Sequence, residues 1–205
     1  MSSIKEFATS LSAKPSLPAG RFPNLLDVEQ AIRTLIVWVG DDPDREGLAD
    51  TPARVARAYQ EWLGGYAICP EQLLQTTFEN AGYEELVVLK DIPFRSMCEH
   101  HLARIEGTAD IAYLPRDRVV GISKLARVVD AYARRLQIQE RLTGEIADTL
   151  QRTLNPRGVA VVIRATHDCI ASRGIHKHGV SMVTRKETGE LARDEWRQRV
   201  RHEMG

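Results

Sequence analysis

The sequence predicts an α+β fold in which an antiparallel sheet packs against helices on one face. Apolar residues recur with helical spacing in the first third of the chain. Two pairs of strand-like segments follow, separated by two further helical segments. The chain has 205 residues, of which 43% are hydrophobic and 27% charged, which is enough for one soluble domain with a sizeable core. A small sheet of this kind leaves an apolar face or edges to cover, and we therefore expect an oligomer.

The N-terminal part of the chain is predicted to be helical. Residues 1–22 are rich in Ser, Ala, Pro and Gly and are expected to form a flexible arm. Asp27 is expected to cap a helix whose apolar positions continue to Val39. Thr51 stands before a proline and is a suitable N-cap for a second helix. These segments define a predicted helical region over residues 23–66.

The remainder of the chain contains the predicted sheet. The expected strands are 86–89, 104–113, 119–122, 159–163 and 175–189. Ser123 is expected to cap a helix, and another helix is expected to begin at Gln139 and to stop before Pro156. A charged C-terminal helix is predicted over residues 194–202.

Composition restricts the class of protein. The formal net charge is zero, so nothing in the balance predicts a nucleic-acid or membrane surface. Three cysteines without framework spacing suit reduced thiols better than a disulfide scaffold. No apolar run has the length of a membrane span, and the first residues lack the apolar core of a secretory signal. These features predict a cytoplasmic protein.

A cluster of possible metal ligands is the most informative feature of the sequence. Cys98 and His101 lie three residues apart in a CEHH motif, and Cys169 follows much later. These residues would supply the three protein ligands of a catalytic zinc site with one open position. His100 and His167 lie beside them, and non-ligating imidazoles are suited to proton transfer near neutral pH. The alternative interpretation is a pair of buried cysteines with surface histidines.

Several motifs then resemble one known family in order and spacing. They are CEHH at 98–101, GISKLAR at 121–127, QIQERLT at 137–143, and HDC at 167–169 followed by Arg173-Gly174. An EGL…TP…ARVAR stretch over residues 46–57 is also similar. Together they resemble GTP cyclohydrolase I. The resemblance is close over residues 28–174 and loose over the C-terminal helix.

The resemblance implies a fold, an assembly and a reaction. The fold is the tunnelling fold, with residues 67–205 as its catalytic domain. The assembly is a ring-shaped homodecamer with active sites between subunits. The reaction converts GTP and water to 7,8-dihydroneopterin triphosphate and formate, the first step of folate and pterin biosynthesis. Zn²⁺ is the implied cofactor.

The resemblance also implies a role for each matching residue. Cys98, His101 and Cys169 match the zinc ligands, and His100 and His167 match the acid/base histidines. Gln139 and Glu140 match the positions that hold the guanine.

The positions of the ribose and triphosphate pocket are matched by Ser123, Lys124, Arg127 and Arg173, joined by Arg54 and Arg57. Without the resemblance, Arg54 and Arg57 would indicate only a solvated helix face.

The segment 175–189 departs from the family pattern. Val180, Met182 and Lys186 stand where small hydroxylated residues are usual, and His176 and His178 are additional. Three functions are therefore weighed. The first is GTP cyclohydrolase I. The second is a related enzyme that uses the same zinc site on another small electrophile, such as CO₂. The third is a non-catalytic, zinc-stabilised oligomer that binds partners or nucleotides. The alternative explanation of the departure is neutral drift in a peripheral strand.

Overall fold

A computed structural model describes residues 22–205, which form two compact units that meet in sequence at Ala67 and Ile68. The predicted flexible arm lies outside the described residues except for Phe22. Over the described part of the chain, no helix is long and apolar enough to span a membrane.

The first unit contains helices α1 (Leu25–Trp38) and α2 (Thr51–Trp62), followed by a 3₁₀ turn at Gly64–Ala67. The predicted cap at Asp27 is wrong, because Asn24 is the N-cap of α1. The two residues form a capping box: Asp27 N donates to Asn24 Oδ1 at 3.0 Å, and Asn24 N donates to Asp27 Oδ2 at 2.7 Å. Thr51 is the first residue of α2 and not its cap.

The second unit is built on a five-stranded sheet with the strand order β5-β2-β3-β6-β7. Its strands are β2 (Val87–Cys98), β3 (Arg104–Leu114), β5 (Leu136–Gln137), β6 (Gly158–His167) and β7 (Ser181–Gly189), and a separate two-stranded sheet pairs β1 (Thr77–Glu79) with β4 (Arg118–Val120). The pairings β2–β3, β3–β6 and β6–β7 are antiparallel, as predicted, whereas the short β5 pairs with β2 in parallel.

Strand β2 is much longer than the predicted segment 86–89 because the strand continues to Cys98 beyond a β-bulge. The register against β3 shifts between Leu89 and Ile92, and Asp91 has a φ of 55°. The backbone N–H of Asp91 donates to Oδ1 of the buried Asp110 at 2.8 Å. A side chain on the neighbouring strand therefore stabilises the bulge.

Helices cover both faces of the sheet. The helices of the second unit are α3 (Pro70–Leu73), α4 (Ile122–Ala133), α5 (Gln139–Leu154), α6 (Asp168–Ala171) and α7 (Asp194–Met204). On one face, α4 and α5 pack through residues such as Val128 and Ile146 against Ile111 of β3. On the other face, Val200 of α7 packs with Ala112, which is the next residue of β3. The prediction of helices on one face holds for α4 and α5 but not for α7.

Arg164 joins α7 to the sheet through one buried carboxylate and two backbone oxygens. Arg164 of β6 donates from Nη1 to Asp110 Oδ2 at 2.7 Å, and only 1% of the Asp110 side chain is exposed. The same guanidinium donates to the carbonyl oxygens of Met204 and Gly205, the latter at 2.6 Å. Arg164 therefore connects β3, β6 and the end of α7 in one network.

We predict that Arg164→Met destabilises the protein. The substitution leaves a buried carboxylate without its guanidinium partner, which should lower the free energy of unfolding by about 3 kcal/mol. Urea unfolding followed by circular dichroism measures this change. Arg199→Met is the matched control, because the Arg199–Glu85 pair is about half exposed and should contribute less than about 1 kcal/mol. Equal losses in the two variants would contradict the prediction.

Candidate metal centre

The turn between β2 and β3 brings Cys98 and His101 together. Cys98 is the last residue of β2, and its N–H donates to Ala103 O at 2.7 Å. The N–H of Leu102, which has a φ of 50°, donates back to Cys98 O at 2.9 Å. The chain therefore folds back on itself, and Cys98 Sγ lies 3.9 Å from His101 Nδ1.

Cys169 lies beside Cys98 and His101 because it follows the end of strand β6. Strand β6 ends at His167, and Cys169 follows in the short helix α6. His167 lies opposite Ile105 at the start of β3, so the end of β6 adjoins the CEHH turn. The ligand atoms of Cys98, His101 and Cys169 all lie within 4.8 Å of one another. These three residues could hold a metal ion, as the sequence predicts.

The chemistry of the donor set fits a metal cation. Burial raises the pKa of the Cys169 thiol, and the neighbouring Cys98 raises it further. Two adjacent thiolates are therefore unfavourable without a compensating positive charge, which a bound cation supplies. Cys98 is buried and His101 is exposed, so the centre lies at the surface of this chain with its thiol side inward.

The two predicted acid/base histidines flank the three ligands in different environments. His100 is exposed, with Nδ1 at 3.9 Å from Cys98 Sγ and Nε2 at 3.8 Å from Glu99 Oε1. His167 is half-buried, and its Nε2 lies 2.8 Å from Gln139 Oε1. Burial lowers the pKa of His167, while the carboxylate of Glu140 opposes this shift.

The side chain of Gln139 fixes the proton position on His167. Gln139 is 1% exposed, and its amide nitrogen donates to Ile163 O at 3.1 Å and to Met182 O at 3.0 Å. Because both carbonyls need a donor, the amide oxygen must face His167 and accept a hydrogen bond from Nε2–H. The lone pair of neutral His167 is then on Nδ1. Gln139, for which the resemblance implies a guanine contact, has its amide engaged within the chain.

Strand β7 takes part in this network despite its departures from the family pattern. Thr184 Oγ1 accepts from Gln139 Nε2 at 3.1 Å and lies 2.7 Å from Thr143 Oγ1. Met182 contributes only its carbonyl oxygen, and Lys186 pairs with Asp148 at 3.6 Å on α5. The unusual side chains at these positions therefore leave the contacts to Gln139 in place. Thr143 and Thr184 could not be found from the sequence, because only the fold brings their hydroxyls together.

The predicted guanine carboxylate and one predicted phosphate ligand also lie at this end of the sheet. Glu140 is exposed in the first turn of α5, next to Gln139, and acts electrostatically on His167. Arg173 is exposed and lowers the pKa of Cys169, against the larger effect of burial. A carboxylate and a guanidinium therefore border the three possible ligands.

The other predicted phosphate ligands of the second unit lie elsewhere in the chain. Ser123, Lys124 and Arg127 are in the first half of α4, which follows directly on β4. Val120 N donates to Tyr113 Oη, near the end of β3 remote from the CEHH turn, at 3.4 Å. The other end of α4 lies near the CEHH turn. Just after this end, the carbonyl oxygen of Arg135 accepts a hydrogen bond at 3.5 Å from Oγ of Ser96, which precedes the turn on β2. Ser123 and Lys124 therefore lie near the end of this twelve-residue helix that is remote from the CEHH turn, and Arg127 lies near its middle.

Ser123 and the two arginines of α2 lie on the exposed parts of their helices. Ser123 is the second residue of α4, whose N-cap is Gly121, so the predicted cap is wrong. Arg54 and Arg57 are exposed on α2 of the first unit, and Arg54 pairs with Asp50 at 2.9 Å.

The α+β fold and the Cys-His-Cys cluster define a class of proteins in which three residues could hold one metal ion, and comparison identifies the family. Residues 28–204 match the family GTP cyclohydrolase I. A GTP cyclohydrolase 1 from Brucella canis is 58% identical over 170 residues, covering 82% of this chain and 80% of the relative. One from Brucella suis is 55% identical over 184 residues, covering 89% and 83%. The chain therefore belongs to the GTP cyclohydrolase I family.

One solved structure is also similar in part. It is described as the archaeosine synthase QueF-Like in the apo form and is 24% identical, covering 51% of this chain and 93% of its own length. Its TM-score of 0.43 is too low to bear on fold or function.

We predict that Cys169→Ser loses bound metal while the protein stays folded. A hydroxyl is a much poorer ligand than a thiolate for the borderline metals that Cys and His bind. Metal analysis by mass spectrometry after gel filtration measures the loss. Cys69→Ser is the control, because Cys69 is exposed and its thiol contacts Glu71 at 3.4 Å, away from the three ligands. A full metal content in Cys169→Ser would remove this residue from the ligand set.

Proposed function

We propose that this protein converts GTP and water to 7,8-dihydroneopterin triphosphate and formate with a zinc ion held by Cys98, His101 and Cys169. The observation that carries the proposal is the convergence of these three ligand atoms within 4.8 Å, flanked by His100 and His167. Membership of the family supplies the reaction. Two thiolates and one imidazole leave zinc an open position.

The ion and the two histidines divide the chemistry between them. When bound, zinc supplies the Lewis acidity that activates water toward C8 of the purine. His100 is exposed beside the ligands and donates a proton to N7, which makes C8 electrophilic. Burial lowers the pKa of His167, which favours its neutral form, and Gln139 holds its Nε2, so Nδ1 is the atom that accepts a proton.

The remaining residues select and hold the nucleotide. The Glu140 carboxylate accepts hydrogen bonds from N1–H and the 2-amino group of guanine, two donors that adenine lacks at those positions. Lys and Arg side chains neutralise the triphosphate, and arginine offers bidentate contacts. Those assigned here are Lys124, Arg127, Arg173, Arg54 and Arg57, with Ser123 toward the ribose and triphosphate.

The complete site requires a neighbouring subunit in this proposal. Within one chain, Lys124 lies near the end of α4 that is remote from the CEHH turn, whereas Glu140 lies with the three ligands near the turn, and we therefore assign Lys124 to the site of a neighbouring subunit. Strand β7 is an edge of the sheet, and β5 covers only the last two residues of β2. Open edges of this kind pair between subunits. We therefore propose the tunnelling fold over residues 67–205 and a cytoplasmic ring of subunits, a homodecamer by family resemblance.

Turnover of GTP tests the proposed reaction. The zinc-loaded protein should release formate and dihydroneopterin triphosphate in equal amounts, and chelation should abolish both until zinc is restored. ATP should give neither product. His100→Ala should keep its zinc and lose about 100-fold or more in kcat, since positioned proton transfer contributes about that much. A zinc-replete oligomer that releases neither product would overturn the proposal.

Mixed oligomers test the shared site. Lys124→Ala and Cys169→Ser should each be inactive, but hetero-oligomers of the two should regain activity. In a one-to-one mixture, about one quarter of the sites combine an intact metal centre with an intact α4 of the neighbour. Activity of doubly tagged, purified oligomers measures the recovery. Cys169→Ser mixed with His100→Ala is the control and should stay inactive, because both substitutions affect the part of the site that one subunit supplies at the same end of its sheet. Activity no higher than that of this control would exclude a shared site.

A further inference from the structure

The CEHH turn is attached to β5 and to the first turn of α5 by three contacts. Cys98 pairs with Gln137 in the parallel β2–β5 ladder. The N–H of Glu99 donates to Gln137 O at 3.0 Å. The Glu99 carboxylate accepts a close hydrogen bond from Nη2 of Arg141. The first two contacts fix the backbone, and the third is the only one of these that fixes a side chain within the turn.

Arg141 is itself held in place before it meets Glu99. Its Nε donates to Gln137 Oε1 at 3.1 Å, and its Nη2 donates to Leu136 O at 3.0 Å. Gln137 is 1% exposed and donates from Nε2 to Glu145 Oε2 at 2.7 Å. The guanidinium therefore presents a fixed donor to the turn and needs little further ordering to bind the carboxylate.

The position of Arg141 in its helix is unusual for a cation. It is the third residue of α5, within the first turn, where the helix dipole disfavours positive charge. A residue chosen only for helix stability at this place would be neutral or acidic. Glu99 supplies the compensating negative charge from another part of the chain.

Glu99 lies between a metal ligand and a predicted acid/base residue. It follows Cys98 and precedes His100, and its Oε1 lies 3.8 Å from His100 Nε2. The direction of the Glu99 side chain therefore influences both neighbours. We propose that Arg141 is a positioning residue that holds the CEHH turn, through Glu99, in the conformation that directs Cys98 and His101 to the metal and His100 beside it.

This role differs from that of an ordinary surface ion pair. The side chains of Arg141 and Glu99 are 41% and 31% exposed, and pairs this accessible contribute little to global stability. By contrast, Glu99 is the chain neighbour of Cys98, and the loss of residues that orient metal ligands typically costs 10-fold to 100-fold in metal affinity or activity. Metal affinity and kcat should therefore change while thermal stability does not.

The test compares Arg141→Met with Arg152→Met in the full-length chain. Arg152 is on the same helix and pairs with Glu71 at 2.8 Å, but it has no contact with the CEHH turn. Competition with a chromophoric chelator measures zinc affinity, and steady-state kinetics with GTP measure kcat and KM. We expect Arg141→Met to weaken zinc binding about tenfold and to lower kcat about tenfold, with KM within about twofold of the starting protein. Arg152→Met should change neither.

Two further variants keep the proposal decidable. Arg141→Lys keeps the charge without the planar fork and should fall between the starting protein and Arg141→Met. If Arg141→Met does not fold, the zinc affinity and kcat of Arg141→Lys test the positioning role in its place. Glu99→Gln should match Arg141→Met, and the double variant should be no worse than either single one, because both act through one contact. Effects that multiply in the double variant would show independent roles and overturn the proposal.

The kcat comparison rests on the proposed function, but the zinc comparison does not. If the starting protein binds zinc without turning over GTP, the proposed function fails and the chelator competition still decides the role of Arg141. If GTP is turned over and Arg141→Met equals Arg152→Met in zinc affinity and kcat, the positioning role fails and the proposed function stands.

Discussion

The antiparallel pairing of β3 with β6 is the constraint on which the metal centre depends. Ile105 lies opposite His167 in this register, so the CEHH turn before β3 and the α6 turn after β6 adjoin at one end of the sheet. Neither turn has enough ligands alone, since Cys98 and His101 come from one and Cys169 from the other. A shift of one residue in the register would reverse the faces of every β6 side chain. The same pairing forms the centre of both apolar layers, and the core and the site are therefore specified by one set of backbone hydrogen bonds.

The cluster of three residues that could hold a metal ion could be predicted from sequence, because few residue types bind such metals and because their motifs are short and local. The same holds for the start of α5 at Gln139, which the structure reproduces. The function of Gln139 could not be predicted in this way. Its amide orientation depends on carbonyls from β6 and β7, and these meet only after the sheet has formed. Its contact with His167 is consequently a property of the tertiary structure.

Errors in the prediction fall where several local solutions are nearly equal in energy. Asp27 and Asn24 are both good helix caps, and the capping box uses both, so spacing alone cannot tell which one begins α1. The sequence of α7 shows an apolar stripe but not which face of the sheet receives it. Alternation along β3 makes both faces apolar, and Ala112 and Leu114 provide a surface for α7 opposite the one that α4 and α5 cover.

The bulge in β2 determines the face on which Cys98 projects. Before the bulge, odd-numbered residues such as Leu89 lie toward α4 and α5, whereas after it the even-numbered residues Ile92 and Phe94 do so. Counting onward in twos from Phe94 leads to Cys98, which packs in the same layer as Cys169. A regular strand that held the same residues without a bulge would keep its original alternation and turn the thiol of Cys98 toward the layer of α7. The hydrogen bond from Asp91 N to Asp110 stabilises the bulge, seven residues before Cys98. It thereby helps to determine the face of the sheet toward which the Cys98 thiol projects.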